Sequence, residues 1–266
     1  MLRFPLRLTA DLAKARIAQK FRTEAASPIL VIHPIEHAPN SSPESAERPV
    51  EAKHGTELLA TVRKSSAPVV WIGGAEPLLH PEMGQLTRCI AGIGRHVFLD
   101  TDATLLRRRI HEFRPVSRLF LTVHLHGLEE VHDFRSGRPG TFRTVVEGIR
   151  AARLSGFLMC IHARIDAHAD IADISNLVQF SRTLDVDGFL VSSADTVAPL
   201  TKVEREVLLA KTAAARKLIG GIWWESFSRL VETSLLSSQQ AMKKATEAVQ
   251  NLEQVAEANQ AGAKVA

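Results

Sequence analysis

The sequence predicts an α/β fold: an incomplete TIM-like (β/α)6 barrel, preceded by one helix and followed by a helical extension. Three observations predict it. Short β-branched runs alternate with longer stretches of helical period, as parallel βα units require. The runs recur six times between residues 29 and 193. A chain of 266 residues, 45% of them hydrophobic, is long enough to bury a core of that size.

Residues 1–24 read as an amphipathic helix, with Phe4, Leu8, Leu12 and Ile17 near one face and Arg3, Arg7, Lys14 and Lys20 away from it. Such a helix either docks on the domain or lies on a membrane surface. The strands follow as "ILVIH" (29–33), "PVVWIG" (68–73), "RHVFLD" (95–100), "RLFLTVHL" (118–125), "FLMCIHARI" (157–165) and "DGFLVSS" (187–193). Between them lie amphipathic segments; in 142–156, Val145, Ile149 and Ala152 share a face and Gly156 stands where a C-cap belongs. The chain therefore divides into an N-terminal helix (1–24), a partial barrel (25–200) and C-terminal helices (201–266).

Two segments fall outside the alternation. Residues 34–55 carry four prolines, many small polar residues and no apolar period, which predicts a mobile loop. From 232 to 266 the chain has good helix formers and no proline, and Leu235, Met242, Ala245, Val249 and Leu252 follow a heptad track. That track suits a helix that meets a protein partner or forms a coiled-coil seam.

Composition narrows the function classes. A formal charge of +4 and a pI near 9.3 are compatible with an anionic partner, and no basic stripe points to nucleic acid. No apolar run approaches the roughly 18–20 residues of a spanning helix. The N-terminus is interrupted by charge every few residues and has no signal-peptide core, so a cytoplasmic location is expected. Cys89 and Cys160 sit in periodic apolar segments without metal-ligand spacing, as buried thiols in a reducing compartment do.

In parallel βα folds the loops at the C-terminal strand ends build the site, and the motifs lie there. "VVWIGGAEPLLHPEMGQL" (69–86) ends its strand with Gly74, Ala75, Glu76, Pro77, Leu78, His80, Pro81 and Glu82. "LDTDATLL" follows the next strand, and "TVHLHGLEEVHDFRSGRPGTF" the one after. These blocks resemble GGEPL-HPE, TNA-LL and S-H-DG----HD----G-F, with Ala75 at the second glycine, Asp102 at the asparagine and His126 at the aspartate. "GFLMCIHARID" and "LDVDGFLVSS" continue the match, and "WWESFSRLVETS" (223–234) extends it more weakly. On these residues about two thirds of the chain resembles the radical S-adenosylmethionine (SAM) superfamily, and within it the hopanoid-biosynthesis, adenosylhopene-transferase-like branch.

The resemblance implies a radical SAM-type barrel whose first strand is followed by CxxxCxxC. Those thiolates hold three irons of a [4Fe-4S] cluster, and SAM binds the fourth. A gapless overlay from Pro34 puts Ala38, Ser42 and Ser45 at the thiolate positions. Alanine has no donor and a serine hydroxyl is a harder, far less acidic ligand than a thiolate. No [4Fe-4S] cluster is therefore expected, and no 5'-deoxyadenosyl radical by the family's route.

What the resemblance leaves is ligand binding, with Gly74, Ala75, Glu76, Asp102, His124 and His126 as the cofactor-binding set for SAM. Ala75 would obstruct its turn if the position needs φ > 0. Glu76 either meets the SAM amino group or is held by the strand-end turn. Asp102 either binds a ribose hydroxyl or caps a helix beginning at Thr104. Arg135 and Arg138, beside two glycines, suit an anion. His132 and Asp133 suit a loop-fixing role.

A different reading uses the histidines. His33, His124, His126 and His162 fall at or near strand ends, and His124 and His126 alternate onto one side. Converging imidazoles with Asp102 or Glu76 would bind zinc or iron. His33, Glu36 and His37 form a further cluster in sequence.

The function these residues predict is a degenerate radical SAM-like protein without radical catalysis. It retains SAM or nucleoside binding and acts through a partner at its C-terminal helix. The alternative is an enzyme, either with an atypical cluster or metal-dependent through the strand-end histidines. The branch implies an isoprenoid-lipid context, with which peripheral membrane contact through the basic N-terminal helix agrees.

Overall fold

The computed structural model describes residues 4–20, 27–37, 51–194 and 201–263. In chain order the elements are α1 (Leu6–Lys20), β1 (Ile29–Ile32), β2 (Ile35–His37), β3 (Glu51–Ala52), α2 (Gly55–Lys64), β4 (Val69–Ile72), α3 (Met83–Gly92) and β5 (His96–Thr101). There follow α4 (Leu106–Arg109), β6 (Leu119–His124), α5 (Glu129–Ser136), α6 (Thr141–Leu154), β7 (Leu158–Ile165), α7 (Ile171–Thr183), β8 (Gly188–Ser193), α8 (Lys202–Leu218) and α9 (Ile222–Ala263). The six strands predicted from the β-branched runs form one all-parallel sheet, in the order β1-β4-β5-β6-β7-β8. This is the half-barrel that six βα units predict.

The strands are apolar along almost their whole length because both faces are covered. The crossover helices cover the convex face; Val145, Ile149 and Ala152 of α6 are buried there as their spacing predicts. On the concave face Trp71, Phe98 and Phe120 are register neighbours on β4, β5 and β6. They stack with ring centroids 5.9 Å and 4.6 Å apart.

Against that aromatic floor lies α9, whose Phe227 ring is 4.9 Å from Phe98. Trp224 sits over Gly188 of β8, where a Cβ would come within 2.3 Å of the indole and 2.7 Å of Cys160 Sγ. Only glycine fits there. Further along α9, Val191 N donates to Ser228 Oγ (3.2 Å) and Ser193 N to Glu232 Oε1 (2.9 Å), while Arg216 of α8 pairs with Glu232. On the opposite edge the hydroxyls of Ser234 and Ser27 meet at 3.1 Å, and His33 Nε2 lies 3.3 Å from Ser238 Oγ. One helix thus spans both edge strands of the sheet and fills its hollow.

The N-terminal helix is docked. Leu8 is fully buried, Phe4 and Leu12 pack on the core, and Phe4 stands 4.8 Å from Trp224. Asp11 Oδ2 lies 3.0 Å from Nε2 of buried His96 and accepts from Arg118 (3.1 Å), tying α1 to the N-terminal strand ends. The apolar face is mostly spent inside the protein, as docking rather than membrane contact requires; Ile17 alone of the four is exposed. Among the described residues no helix is long and apolar enough to cross a membrane.

Two sequence expectations change. The 34–55 loop is not wholly irregular, because β2 and β3 pair antiparallel and Lys53 N donates to Pro34 O (2.9 Å). Backbone pairing there needs no apolar period, which is why composition hid it. The tail helix begins at Ile222, ten residues before position 232, because Trp224, Phe227 and Val231 continue its buried face toward the sheet. On its heptad track Leu235 packs on the core and Met242 is half exposed; the side chains of Ala245, Val249 and Leu252 lie outside the described residues.

Gly188→Ala is expected to cost about 1–3 kcal/mol by overpacking, read as a lower urea midpoint with faster hydrogen exchange across 224–232. A wild-type midpoint would mean that Trp224 is not seated on β8.

Candidate functional site

The concave face changes character above the aromatic floor. Period-two alternation carries the inward face from Phe98 to Asp100 on β5, from Phe120 to Thr122 and His124 on β6, and from Cys160 to His162 on β7. Polar side chains therefore gather at the C-terminal strand ends, beneath α9.

The first group is the turn after β4. Gly74 has φ +94°, and a Cβ there would fall 2.4 Å from His33 Nδ1, so the position is restricted to glycine twice over. The condition under which Ala75 would obstruct the turn, a positive φ at its own position, is not met. Among the described residues the left-handed non-glycines are Ala103 and Asp185. The turn places its one left-handed residue at Gly74, and Ala75 does not obstruct it.

Glu76 turns back into the protein. Its carboxylate accepts from Leu78 N (2.8 Å), Thr101 Oγ1 (2.6 Å) and Asp102 N (2.8 Å), joining the β4 turn to the end of β5. Burial, with the Asp102 carboxylate alongside, pushes the Glu76 carboxyl up to about 7, against the pull of those three donors. Asp102 Oδ1 accepts from the backbone N (2.9 Å) and hydroxyl (2.8 Å) of Thr104. That caps the turn before α4, which starts at Leu106 rather than Thr104.

The second group was only half visible in the sequence. Asp100 Oδ1 lies 2.7 Å from His124 Nε2 and 3.0 Å from His162 Nδ1, and His162 Nε2 lies 2.8 Å from Ser192 Oγ. The register explains the meeting: His124 pairs with His162, and Asp100 pairs with Thr122, two residues below His124. Burial raises the Asp100 carboxyl, but the two imidazoles beside it outweigh that and hold the group well below the ordinary carboxylate range. Burial pushes His162 down.

Of the four predicted histidines, His124 and His162 come together and His33 lines the same cavity. His126 does not join them. Its ring stacks on His132 with centroids 5.5 Å apart, and burial, then His132 and His124, push it down to about 4. The carboxylate partner is Asp100, neither Asp102 nor Glu76. Alternation puts Asp100 and Asp102 on the same side as inward Phe98, and only the register with β6 selects Asp100.

The cavity measures about 130 Å³ and is lined by His33, Gly74, His162, Arg164, Glu232 and Gln239, among others. A larger one, about 670 Å³, lies away from the strand ends between α1 and α9, with an apolar lining that offers no comparable chemistry. Neither thiol reaches the mouth: Cys160 is buried on β7 beneath it and Cys89 is on α3. Ala38, Ser42 and Ser45 lie outside the described residues, and so do the side chains of Glu36 and His37. Arg135 is paired with Asp166, and Asp133 accepts from Gly140 N (2.6 Å) and Phe142 N (2.7 Å). The loop expected to bind an anion is thus fixed from within.

A family model for the Radical SAM superfamily matches residues 37–163, the span from β2 into β7. That stretch of the chain is similar to the radical SAM superfamily. An AdoMet-dependent heme synthase of Methanosarcina barkeri is 30% identical over 138 residues, 51% of this chain and 37% of that protein. A probable GTP 3',8-cyclase of Pyrobaculum aerophilum is 27% identical over 117 residues, 42% of this chain and 38% of that one. The Fe-coproporphyrin III synthase of M. barkeri is 22% identical over 136 residues, 50% and 34%. The chain spans less than two fifths of the length of these relatives. Among solved structures, SuiB of Streptococcus suis bound to S-adenosylmethionine shares the fold, with a TM-score of 0.56 at 16% identity over 82% of this chain and 49% of SuiB. SuiB bound to its precursor peptide SuiA gives 0.53 at 17% identity, over 82% and 50%. The half-barrel fold is therefore common ground with SuiB.

A carboxyl raised toward 7 in the folded state holds its proton more tightly than the unfolded chain does. Its contribution to stability then falls as pH rises from about 4.5 to 7 and is level outside that window. Glu76→Gln removes the titration. The stability difference, wild type minus variant, is expected to shrink between pH 5 and pH 7 in urea melts, and a constant difference would show that Glu76 stays ionised throughout.

Proposed function

We propose that this radical SAM domain makes no radical with a cluster of its own and works as a ligand-responsive protein. It binds SAM or a related nucleoside at the strand-end mouth and signals through α9. The observation that carries the reading is the donor set: imidazole, carboxylate and hydroxyl groups gather at the mouth and both thiols lie elsewhere, in line with the gapless overlay that puts Ala38, Ser42 and Ser45 at the family's thiolate positions. Iron–sulfur clusters are held by thiolates, so this set does not fit one.

SAM fits in part. The left-handed Gly74 turn is present, and SuiB, of the same fold, has been seen with SAM. Glu76 already has three donors, so ligand contact at this turn falls to its backbone. A cavity of about 130 Å³ is also smaller than the roughly 300–1,000 Å³ of typical small-molecule sites. A nucleoside-sized ligand therefore requires Leu236 and Gln239 of α9 to give way. That coupling supports a regulatory or partner role for the helix, in line with a neighbour that takes a peptide.

Within the superfamily, the HPE and HGLEEVHD blocks support the hopanoid-type branch and an isoprenoid-lipid context. The names of two relatives support tetrapyrrole chemistry instead. Tight binding of iron coproporphyrin, read as a Soret shift, would favour the second context, and its absence the first. The two free thiols support a reducing, cytoplasmic setting.

Titration of SAM into chelator-treated full-length protein is expected to give binding tighter than about 100 μM, or roughly 5.5 kcal/mol, with faster hydrogen exchange across 232–242. No detectable heat would remove the ligand role. Anaerobic incubation with iron and sulfide is expected to leave no acid-labile sulfide on the chain. A retained sulfide-bearing cluster would restore radical catalysis as the function.

A further inference from the structure

We propose that Asp100, His124 and His162 form a mononuclear site for a divalent transition metal of the zinc or iron(II) class. Their ligand atoms, one carboxylate oxygen and two imidazole nitrogens, all lie within 4.8 Å of one another. A divalent ion about 2.0–2.2 Å from each donor sets donors roughly 2.8–3.6 Å apart for ligand angles between square and tetrahedral, and Asp100 Oδ1 stands 2.7 Å and 3.0 Å from the two nitrogens, close to the lower end. The three residues come from adjacent parallel strands whose register fixes their offset, so the site is held by the sheet rather than by a loop.

A plain hydrogen-bonded network explains the cluster less completely. His162 is accounted for either way, because both ring nitrogens have partners. His124 is not. Its Nε2 is buried and close to Asp100 Oδ1, yet it forms no hydrogen bond there by geometry. A lone pair turned off the carboxylate axis is what a shared cation between the groups asks for. Ser192 supplies the outer support that metal-bound imidazoles usually have: its hydroxyl lies 2.8 Å from His162 Nε2, and the tautomer with the proton on Nε2 donates to it and leaves Nδ1 free to ligate. Trp71 packs edge-on against the same ring at 5.4 Å and stiffens it.

Two imidazoles and one carboxylate suit zinc or iron(II) and leave coordination positions open. Those positions face the cavity lined by His33 and Gln239, whose volume of about 130 Å³ admits water or a small oxygen ligand. This inference is independent of SAM binding and stands or falls without it.

The test is zinc titration of chelator-treated full-length protein against a chromophoric chelator, with cobalt(II) absorption as a second readout. Wild type is expected to take up a single equivalent, with visible cobalt bands and a raised melting temperature. His124→Ala is expected to lose that equivalent, and Ser192→Ala to weaken it about 10–100-fold. His126→Ala, outside the set, is expected to keep it. Equal zinc uptake by wild type and His124→Ala would overturn the proposal, as would wild type without cobalt bands. The latter reading needs no variant to fold.

Discussion

The packing of α9 into the hollow of the sheet is the contact on which the rest depends. A closed barrel fills its interior with its own side chains, but six strands leave a concave face and two unpaired edges. Trp224 on Gly188 and Phe227 on Phe98 fill the first; at the second, Ser228 and Glu232 of α9 accept from two backbone amides of β8, and Ser234 and Ser238 meet the side chains of Ser27 and His33 beside β1. The aromatic floor is buried only because that helix is present. Everything above the floor, including the Glu76 turn and the Asp100 cluster, is presented to a space whose lid is the same helix.

The vertical order of the interior gives the mouth its electrostatics. Asp100 and His162 sit directly above stacked rings and beneath α9, where little water competes, so interactions between their charges are stronger than on a surface. A lone carboxylate there would be costly. Two imidazoles converging on it make the charge tolerable and give the cluster its geometry.

The strands were legible in the sequence nearly to the residue because a parallel strand covered on both faces is a short apolar run. The Gly74 turn and the gathering of His124 and His162 were legible too, through motif position and alternation. The missing pieces share one cause. Whether Glu76 points outward or back to Leu78, Thr101 and Asp102, and whether Asp100 or Asp102 meets the histidines, depends on inter-strand register. Register is a long-range property that no local pattern carries. The early start of α9 was hidden for the same reason: Trp224 reads as an arbitrary aromatic until Gly188 is beside it.

A helix rises about 1.5 Å per residue, so the 24 residues after Gln239, through Ala263, form a rod of about 36 Å beyond the point where α9 lines the mouth. The segment that plugs the site and the segment that reaches away from it are one rigid body. A tilt of about ten degrees about the Trp224 seat moves Gln239 by roughly 4 Å and the far end by roughly 10 Å. The geometry is that of a pointer on a gauge, in which a small displacement over the polar layer is magnified at the tip. A force at the tip is in turn delivered to the mouth with leverage.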